Sequence, residues 1–355
     1  MESRYLAARK RSPSSDAGHS SSPKRHKTST RDLEALLDCS QLLTQSAISS
    51  RFDEIAGVFL YDYDLVVCSD AAETCFRLLE FEFYLHKPGC HEDPFVHRTA
   101  EQGELGKWYF HRAPGKGTTK YRGGTRKGLD LTFGDADAYG GILLRSVQRP
   151  NSSEVISGPS LLVDKIVSLS GASDLVDLVE SKWAGDTSAF TPRGLFLRPR
   201  EDSACSGHRD ICRTPRVGLD LSKASRAVYV AKAYRYIASF DSPLKSKAQT
   251  FAGAVYHCCY SPTRPEGGIP VLASEVSKSL HDPALTERLV KLTALSTTVA
   301  ARYLKDYLAG FDNGSVESFV GKKNVASSPS AYLTMMGALH RSQLDPKPTP
   351  LPSSS

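Results

Sequence analysis

The sequence contains no apolar run long enough to cross a bilayer, and its start lacks the apolar stretch of a secretory signal. We therefore expect a soluble, intracellular protein without a membrane partner. Its eight cysteines form no repeating framework, which in a chain of 355 residues favours reduced thiols over structural disulfides. Nothing repeats at a solenoid period, and strands do not alternate regularly with helices, so a parallel doubly wound sheet is disfavoured.

Metal ligands occur only in partial sets. The spacing Cys205-x-x-His208-x-x-x-Cys212 has no clear fourth ligand, and the pair Cys90-His91 is incomplete in the same way. A structural zinc site needs four nitrogen or sulfur ligands. We therefore expect no metal.

Positive charge is concentrated in two stretches. Residues 1–30 carry a formal charge of +5 and residues 98–128 carry +6, while the rest of the chain sums to −5 and the whole chain to +6. A basic tail plus one basic internal stretch is typical of a phosphate-binding footprint rather than of a uniformly basic protein. The composition thus favours a nucleic-acid partner.

The first 30 residues are rich in Ser and have no apolar period, so we predict a disordered basic tail. Its clusters Lys10-Arg11 and Pro23-Lys24-Arg25-His26-Lys27 resemble nuclear-import signals, which predicts a nuclear protein; a solvated basic arm is the alternative. A capping pattern at Ser29-x-x-Asp32 precedes an apolar helix face, so order is expected to begin there. That face is predicted to carry Leu33, Leu36, Leu37 and Leu43.

The remaining pattern predicts a mixed architecture. Short strands are predicted at residues 58–63, 65–68, 76–85, 108–111, 129–133, 141–147, 227–237 and 252–260, and helices at 161–169, 173–182, 283–310 and 331–339. The predicted fold class is α+β, with a curved, mostly antiparallel sheet, peripheral helices and a C-terminal helical extension. We divide the chain into a tail (1–30), a main domain (31–245), the extension (246–345) and a disordered tail (346–355).

The segment from Leu79 to Leu85 alternates strictly. Leu79, Phe81, Phe83 and Leu85 form one strand face, and Glu80, Glu82 and Tyr84 form the other. Because the apolar face must rest on a core, the polar face is expected to meet solvent or a cavity. A phenol beside a carboxylate suits a cavity that receives a flat ring.

Several motifs occur in the order in which one known family has them. They are Glu82-x-Tyr84, then His97-Arg98, Leu129-Asp130-Leu131-Thr132, Ile142-Leu143-Leu144-Arg145, Ser157-Gly158-Pro159-Ser160, Arg216-Val217-Gly218-Leu219 and Lys232-Ala233-Tyr234-Arg235-Tyr236. Together they resemble the catalytic domain of the DNA-3-methyladenine (alkyladenine) DNA glycosylases, over roughly residues 50–240. The resemblance implies excision of alkylated or deaminated purines from DNA, initiating base-excision repair.

The resemblance also implies residue roles. Glu82 matches the general base that activates the attacking water, with Arg145 and Asp130 beside it in the catalytic group. Four rings match the base-binding set: Tyr84, His97, Tyr109 and His111. We assign DNA contacts to Tyr121, Arg122, Arg126, Lys127, Arg216 and Lys232. The implied enzyme is a monofunctional, monomeric glycosylase without a cofactor, acting on damaged duplex or single-stranded DNA.

Two departures from the family pattern keep alternatives open. Asp130 stands where the family usually has Asn; if it lies beside Glu82 in a dry pocket, two like charges would leave one group protonated and weaken the base. The family inserts a Tyr into the duplex just before this strand, and here only Tyr121, shifted along the chain, is available as that wedge. A catalytically silent binding protein of glycosylase descent, or hydrolysis of another nucleoside-like substrate, therefore remains an alternative.

Overall fold

The computed structural model describes residues 30–69, 72–115, 120–200, 211–260 and 272–344. The import-like clusters, the C-terminal tail and the Cys205/His208 pair lie outside the described residues. The seven cysteines within them are free thiols.

A curled antiparallel sheet forms the centre of the fold, and the predicted α+β class is confirmed. The described residues contribute ten strands. They are β1 (Tyr63–Cys68), β2 (Glu73–Lys87), β3 (His91–Glu92), β4 (Leu105–Phe110), β5 (Leu129–Phe133), β6 (Tyr139–Gln148), β7 (Val155–Ser157), β8 (Leu195–Pro199), β9 (Cys212–Thr214) and β10 (Arg235–Ile237). The main path runs β4-β5-β6-β2-β1-β8, while β3 and β10 pair with β2, β7 with β6, and β9 with β10. The long strand β2 is therefore the hub of the sheet.

Helices cover both sides of this sheet. They are α1 (Thr30–Leu37), α2 (Gln45–Tyr61), α3 (Pro159–Leu169), α4 (Ala227–Val230), α5 (Lys247–Cys259), α6 (Ala273–Leu280), α7 (Leu285–Thr293), α8 (Thr297–Asn313) and α9 (Pro329–Leu344). In the predicted 173–182 segment, residues 175–182 are helical, and Asp177–Lys182 form a π-helical turn. None of the helices in the described part is long and apolar enough to span a membrane.

Four sequence-based predictions of secondary structure were wrong. The strand predicted at 58–63 belongs mainly to α2, which begins with a Thr44 cap and buries apolar residues at helical spacing, and the strand predicted at 252–260 belongs to α5. The segment 227–237 splits into α4 and β10. The single helix predicted at 283–310 breaks at Ala294, whose φ of 52° ends α7 before α8 begins. Leu43 is exposed beyond α1 rather than on its buried face.

Two apolar clusters hold the sheet from its two faces. One face of β2 packs Phe81, Phe83 and Leu85 against α2, where Phe52 stacks on Phe83 with ring centroids 4.2 Å apart. A β-bulge at Leu79 turns this side chain to the opposite face, contrary to the predicted alternation. There it joins the apolar cluster of α5 to α9, so the C-terminal helices cover the face that carries Glu80 and Glu82.

Candidate functional site

Register across three strands places the two acidic candidates in one row. In the pairing of β2 with β6, Glu82 lies opposite Leu143, and in the pairing of β5 with β6, Asp130 lies opposite the same Leu143. Residues opposite each other in antiparallel strands share a face, so both carboxylates point the same way, with backbones about 10 Å apart. The predicted sharing of a proton between them does not fit this geometry, because Leu143 stands between them.

The carboxylate of Glu82 is fully buried and its two oxygens are occupied. The Tyr84 hydroxyl donates to Oε2 at 2.7 Å, and the backbone N–H of Val217 donates to Oε1 at 2.7 Å. Arg145 Nε lies 3.4 Å from the same Oε1. Burial and the neighbouring Glu82 raise the pKa of Tyr84 well above its ordinary value. Tyr84 therefore stays a donor, and Glu82 is the acceptor.

A second buried acid extends this network. Glu80 Oε1 accepts from Arg145 Nε at 2.9 Å and from Arg235 Nε at 2.6 Å, and Ser146 donates to Oε2. Burial alone would raise the pKa of Glu80, but the guanidinium groups of Arg235 and Arg145 outweigh it and lower the pKa to about 2. Arg235 also donates to Thr250 of α5 at 3.2 Å. The C-terminal extension thus contributes directly to the network behind Glu82.

A pocket of about 190 Å³ opens beside this network, and we call it the inner pocket. It is lined by Tyr84, Phe95, Val96, His97, Gln102, His111, Arg122, Asp130, Leu143 and Leu219. Since one water occupies about 30 Å³, the space corresponds to about six waters, enough for a small planar molecule. Glu82 does not line it; Tyr84 does, and its hydroxyl connects the pocket wall to that carboxylate.

The predicted base-binding rings come together at this pocket. The His97 ring centroid lies 4.6 Å from that of His111 and 6.1 Å from that of Tyr109, in both cases near perpendicular. Tyr109 is buried behind them; burial raises the pKa of its hydroxyl, and this hydroxyl forms a hydrogen bond with His97 Nδ1 at 3.3 Å. His97 is exposed at the pocket mouth, but partial desolvation of its ring and the adjacent His111 lower its pKa, so its neutral form is favoured.

The DNA-contact assignment of Arg216 was wrong, because this side chain is buried. Its Nη1 lies 2.5 Å from Asp93 Oδ2, and both side chains have 0% exposure. Its guanidinium carbon lies 4.4 Å from the ring centroid of Tyr84, on which it forms a cation–π contact. Arg216 therefore positions the Tyr84 ring from inside the protein and cannot reach a phosphate.

The other DNA-contact candidates divide by their surroundings. The Tyr121 ring packs on Phe110 and is covered by the Arg112 guanidinium 4.1 Å from its centroid, so its position does not fit a projecting wedge. Arg122 lines the inner pocket and donates through Nε to the Arg112 carbonyl. Arg126 is exposed in the turn before β5, and two lysines are held by neighbours: Lys127 pairs with Asp164, and Lys232 donates to Gln45 at 3.0 Å.

A second cavity adjoins the inner pocket and is rich in arginine. This outer cavity, of about 540 Å³, is bounded by residues 97–101 and 112–115 together with Tyr109 and Arg122. The outer cavity and the inner pocket share two lining residues, His97 and Arg122. Arg98, Arg112 and Arg122 place three guanidinium groups around it, against the single carboxylate of Glu101. The combination suits an anionic chain that leads into the pocket.

Sequence reasoning missed two polar groups that define the site. Gln102 lies in a short 3₁₀ turn, Ala100–Gly103, and nothing in its surrounding sequence distinguishes it from a surface residue. Val217 acts through its backbone N–H, to which its residue type gives no clue. Within the described residues no group of three or more His, Cys, Asp or Glu side chains is arranged to hold a metal ion.

No family model matches this sequence. The chain is similar to "Uncharacterized protein L759" of Acanthamoeba polyphaga mimivirus, with 39% identity over 104 residues. The match covers 26% of this chain and 46% of the viral protein, so the chain spans less than half of the relative's length. This similarity concerns part of each protein and names no activity.

Proposed function

We propose that this protein is a DNA glycosylase that extrudes an alkylated or deaminated purine nucleotide and hydrolyses its N-glycosidic bond. The observation that carries the proposal is the convergence of Tyr84, His97, His111 and Asp130 on one small pocket, with Glu82 bonded to the Tyr84 hydroxyl. These residues come from separate parts of the chain. A ring-lined pocket of this size suits one flipped base, because stacking offsets the few kcal/mol of unstacking.

In the proposed reaction a water oxygen attacks the anomeric carbon, and the bonding electron pair leaves with the base nitrogen. Glu82 accepts a proton from the water and stabilises the positive charge that develops on the sugar. Arg145 and the Val217 N–H hold the carboxylate in place through Oε1. Its Oε2 becomes available to water when the Tyr84 hydroxyl swings away as the ring stacks on the base.

The outer cavity supports a polynucleotide rather than a free nucleoside as the substrate. A nucleoside would need the inner pocket alone, whereas Arg98, Arg112 and Arg122 add positive charge where the chain flanking a flipped nucleotide would pass. Guanidinium groups bind phosphates through paired N–H donors. The basic stretch 98–128 contains all three, and we assign it the phosphate contacts of the DNA.

One observation favours a second candidate, a catalytically silent protein that binds DNA or a protein partner. Glu82 has no exposed surface, both of its oxygens accept hydrogen bonds, and it does not line the inner pocket. A carboxylate held in this way cannot activate water unless Tyr84 moves. The two candidates thus differ in whether Tyr84 opens when a base enters.

A base-release assay separates them. Single-stranded and duplex oligonucleotides carrying 3-methyladenine or hypoxanthine are incubated with the protein, and the free base and abasic sites are measured. We expect release by the native protein, none by Glu82→Gln, and retained DNA binding by that variant. Glu104→Gln, the same change at an exposed carboxylate, is the matched control and should release base normally. Binding without release by the native protein would favour the silent candidate. Neither binding nor release would refute both the glycosylase and the DNA-binding form of the silent candidate.

A further inference from the structure

Three polar side chains form the floor of the inner pocket, and we call them the acceptor floor: Gln102, His111 and Asp130. His111 Nε2 lies 2.8 Å from Asp130 Oδ1, and Gln102 Nε2 lies 3.4 Å from Asp130 Oδ2. Gln102 and Asp130 are 1% and 2% exposed. All three line the pocket, and their mutual hydrogen bonds hold them as one unit.

Two glycines make room for this floor. A Cβ at Gly128 would lie 2.5 Å from Cε1 and Nδ1 of His111 and 2.9 Å from its Nε2. The similar distances to three ring atoms show that the face of the imidazole lies over Gly128. A Cβ at Gly141 would lie 2.6 Å from Asp130 Oδ2. Any larger residue at either position would displace the floor, so the local backbone is shaped around it.

The hydrogen bonds within the acceptor floor determine which acceptor atoms are left to bind a ligand. His111 Nε2 faces Asp130, and with the ring proton assigned to Nε2 the other nitrogen, Nδ1, is an acceptor. Donation from the Gln102 amide nitrogen to Asp130 leaves the carbonyl Oε1 as an acceptor. Within the described residues this Oε1 is buried and has no hydrogen-bond partner. Asp130 itself offers only lone pairs.

We propose that the acceptor floor makes this site selective for purines with an exocyclic amino group on the edge that enters the pocket, and against purines with an oxo group there. Among the proposed substrates it therefore favours alkylated adenine and makes deaminated purines such as hypoxanthine the poorer ones. This inference rests on the proposed function only for the identity of the ligand as a flipped purine. An amino group supplies two N–H donors, which can pair with two of the acceptors on Asp130, His111 and Gln102. An oxo group would instead place a lone pair of its oxygen against the Asp130 carboxylate. The acceptor atoms of the floor would then have no donor from that group, which lowers the affinity for the oxo purine.

Binding of free bases tests the floor independently of catalysis. The probes are 9-methyladenine and 9-methylhypoxanthine, which carry a methyl group in place of the sugar. The first has a six-amino group and an unprotonated N1, and the second has a six-oxo group and an N1–H. Their dissociation constants are measured on the full chain by ligand-observed NMR titration. We expect the amino base to bind about tenfold more tightly, the effect of one hydrogen bond to a charged acceptor. Equal or tighter binding of the oxo base would overturn the proposal.

Variants assign the selectivity to the floor. Asp130→Asn gives the position a donor as well as an acceptor, so the affinity ratio should fall to within about threefold. Gln102→Met removes the free carbonyl and should lower affinity for the amino base; it also serves as the test if Asp130→Asn does not fold, as judged by circular dichroism. Asp137→Asn, the same change at an exposed site, should leave the ratio unchanged. An unchanged ratio in both floor variants would also refute the proposal.

The result of the free-base binding experiment can be distinguished from the result of the base-release assay. Selective base binding without base release from DNA would contradict the proposed hydrolysis and support the floor. Release from DNA without selectivity between the two bases would support the hydrolysis and contradict the floor.

Discussion

The buried pair of Asp93 and Arg216 offers a sharp test of how the pocket wall is supported. Arg216 donates to Asp93 at 2.5 Å and also to the carbonyls of Phe83, at 3.0 Å, and Tyr229, at 3.2 Å. Asp93 is its only anionic partner among the described ion pairs. Replacing Asp93 with Asn keeps the shape of the side chain and leaves a guanidinium charge buried without a counter-charge.

Breaking a buried ion pair from one side costs about 3–5 kcal/mol, because the remaining charge stays desolvated. We expect Asp93→Asn to lower the free energy of unfolding by about this amount, measured by urea denaturation with an unchanged m-value. Arg216→Met should cost a similar amount, since it leaves the carboxylate unpaired. The double variant should be more stable than the sum of the two single losses predicts, because neither charge is then left alone.

The same pair should influence base binding through Tyr84. Since Arg216 lies beneath the Tyr84 ring, the variants should weaken binding of 9-methyladenine even under conditions where they remain folded. A loss below about 1 kcal/mol in Asp93→Asn would refute the buried-pair interpretation. So would an Arg216→Met variant that is fully stable but shows a reduced salt dependence of DNA affinity, because that result is typical of a phosphate contact.

Two further predictions concern acid stability and DNA contact. Burial lowers the pKa of His340 to about 4, whereas a His in the unfolded chain has a pKa near 6.5. Between these two pH values the unfolded state therefore binds more protons than the folded state. The free energy of unfolding should fall by about 3 kcal/mol as the pH drops from 6.5 to 4. His340→Gln should flatten that part of the pH profile, measured by denaturation, and an unchanged slope would contradict it. Arg126→Glu should reduce affinity for all DNA sequences alike and lower the salt slope by about one, whereas Lys305→Glu on α8 should not; equal effects of the two would argue against a local contact.

Strand β2 shows how far a sequence pattern can be taken. Alternation correctly placed Phe81, Phe83 and Leu85 on the core, because period-two burial is a local property of an extended chain. It failed at Leu79, where a bulge shifts the register, and a bulge depends on the pairing partner β6 rather than on the strand itself. For the same reason the covering of Glu80 and Glu82 by helices more than 150 residues later could not be predicted.

The candidate site, too, was predicted from the sequence only in part. The spacing Glu82-x-Tyr84 correctly placed a carboxylate and a phenol on one face, and the structure joins them by a hydrogen bond. The surface assignment of Arg216 failed because a sequence shows charge and not burial. The sequence left open whether the Asp130 carboxylate lies beside Glu82; the β5-β6-β2 order separates the two and provides His111 as the partner of Asp130.

The C-terminal helices bear on which candidate function holds. Thr250 of α5 accepts a hydrogen bond from Arg235, and Arg235 donates to Glu80. Arg145 contacts both Glu80 and Glu82 and so connects the two acids. This chain of buried groups lies behind Glu82, whose Oε2 accepts from the Tyr84 hydroxyl at the wall of the inner pocket. The glycosylase and the catalytically silent protein therefore differ in one movement of Tyr84. If the Tyr84 ring moves to stack on a bound base, Oε2 of Glu82 becomes accessible to water; if the Tyr84 hydroxyl stays in place, it does not.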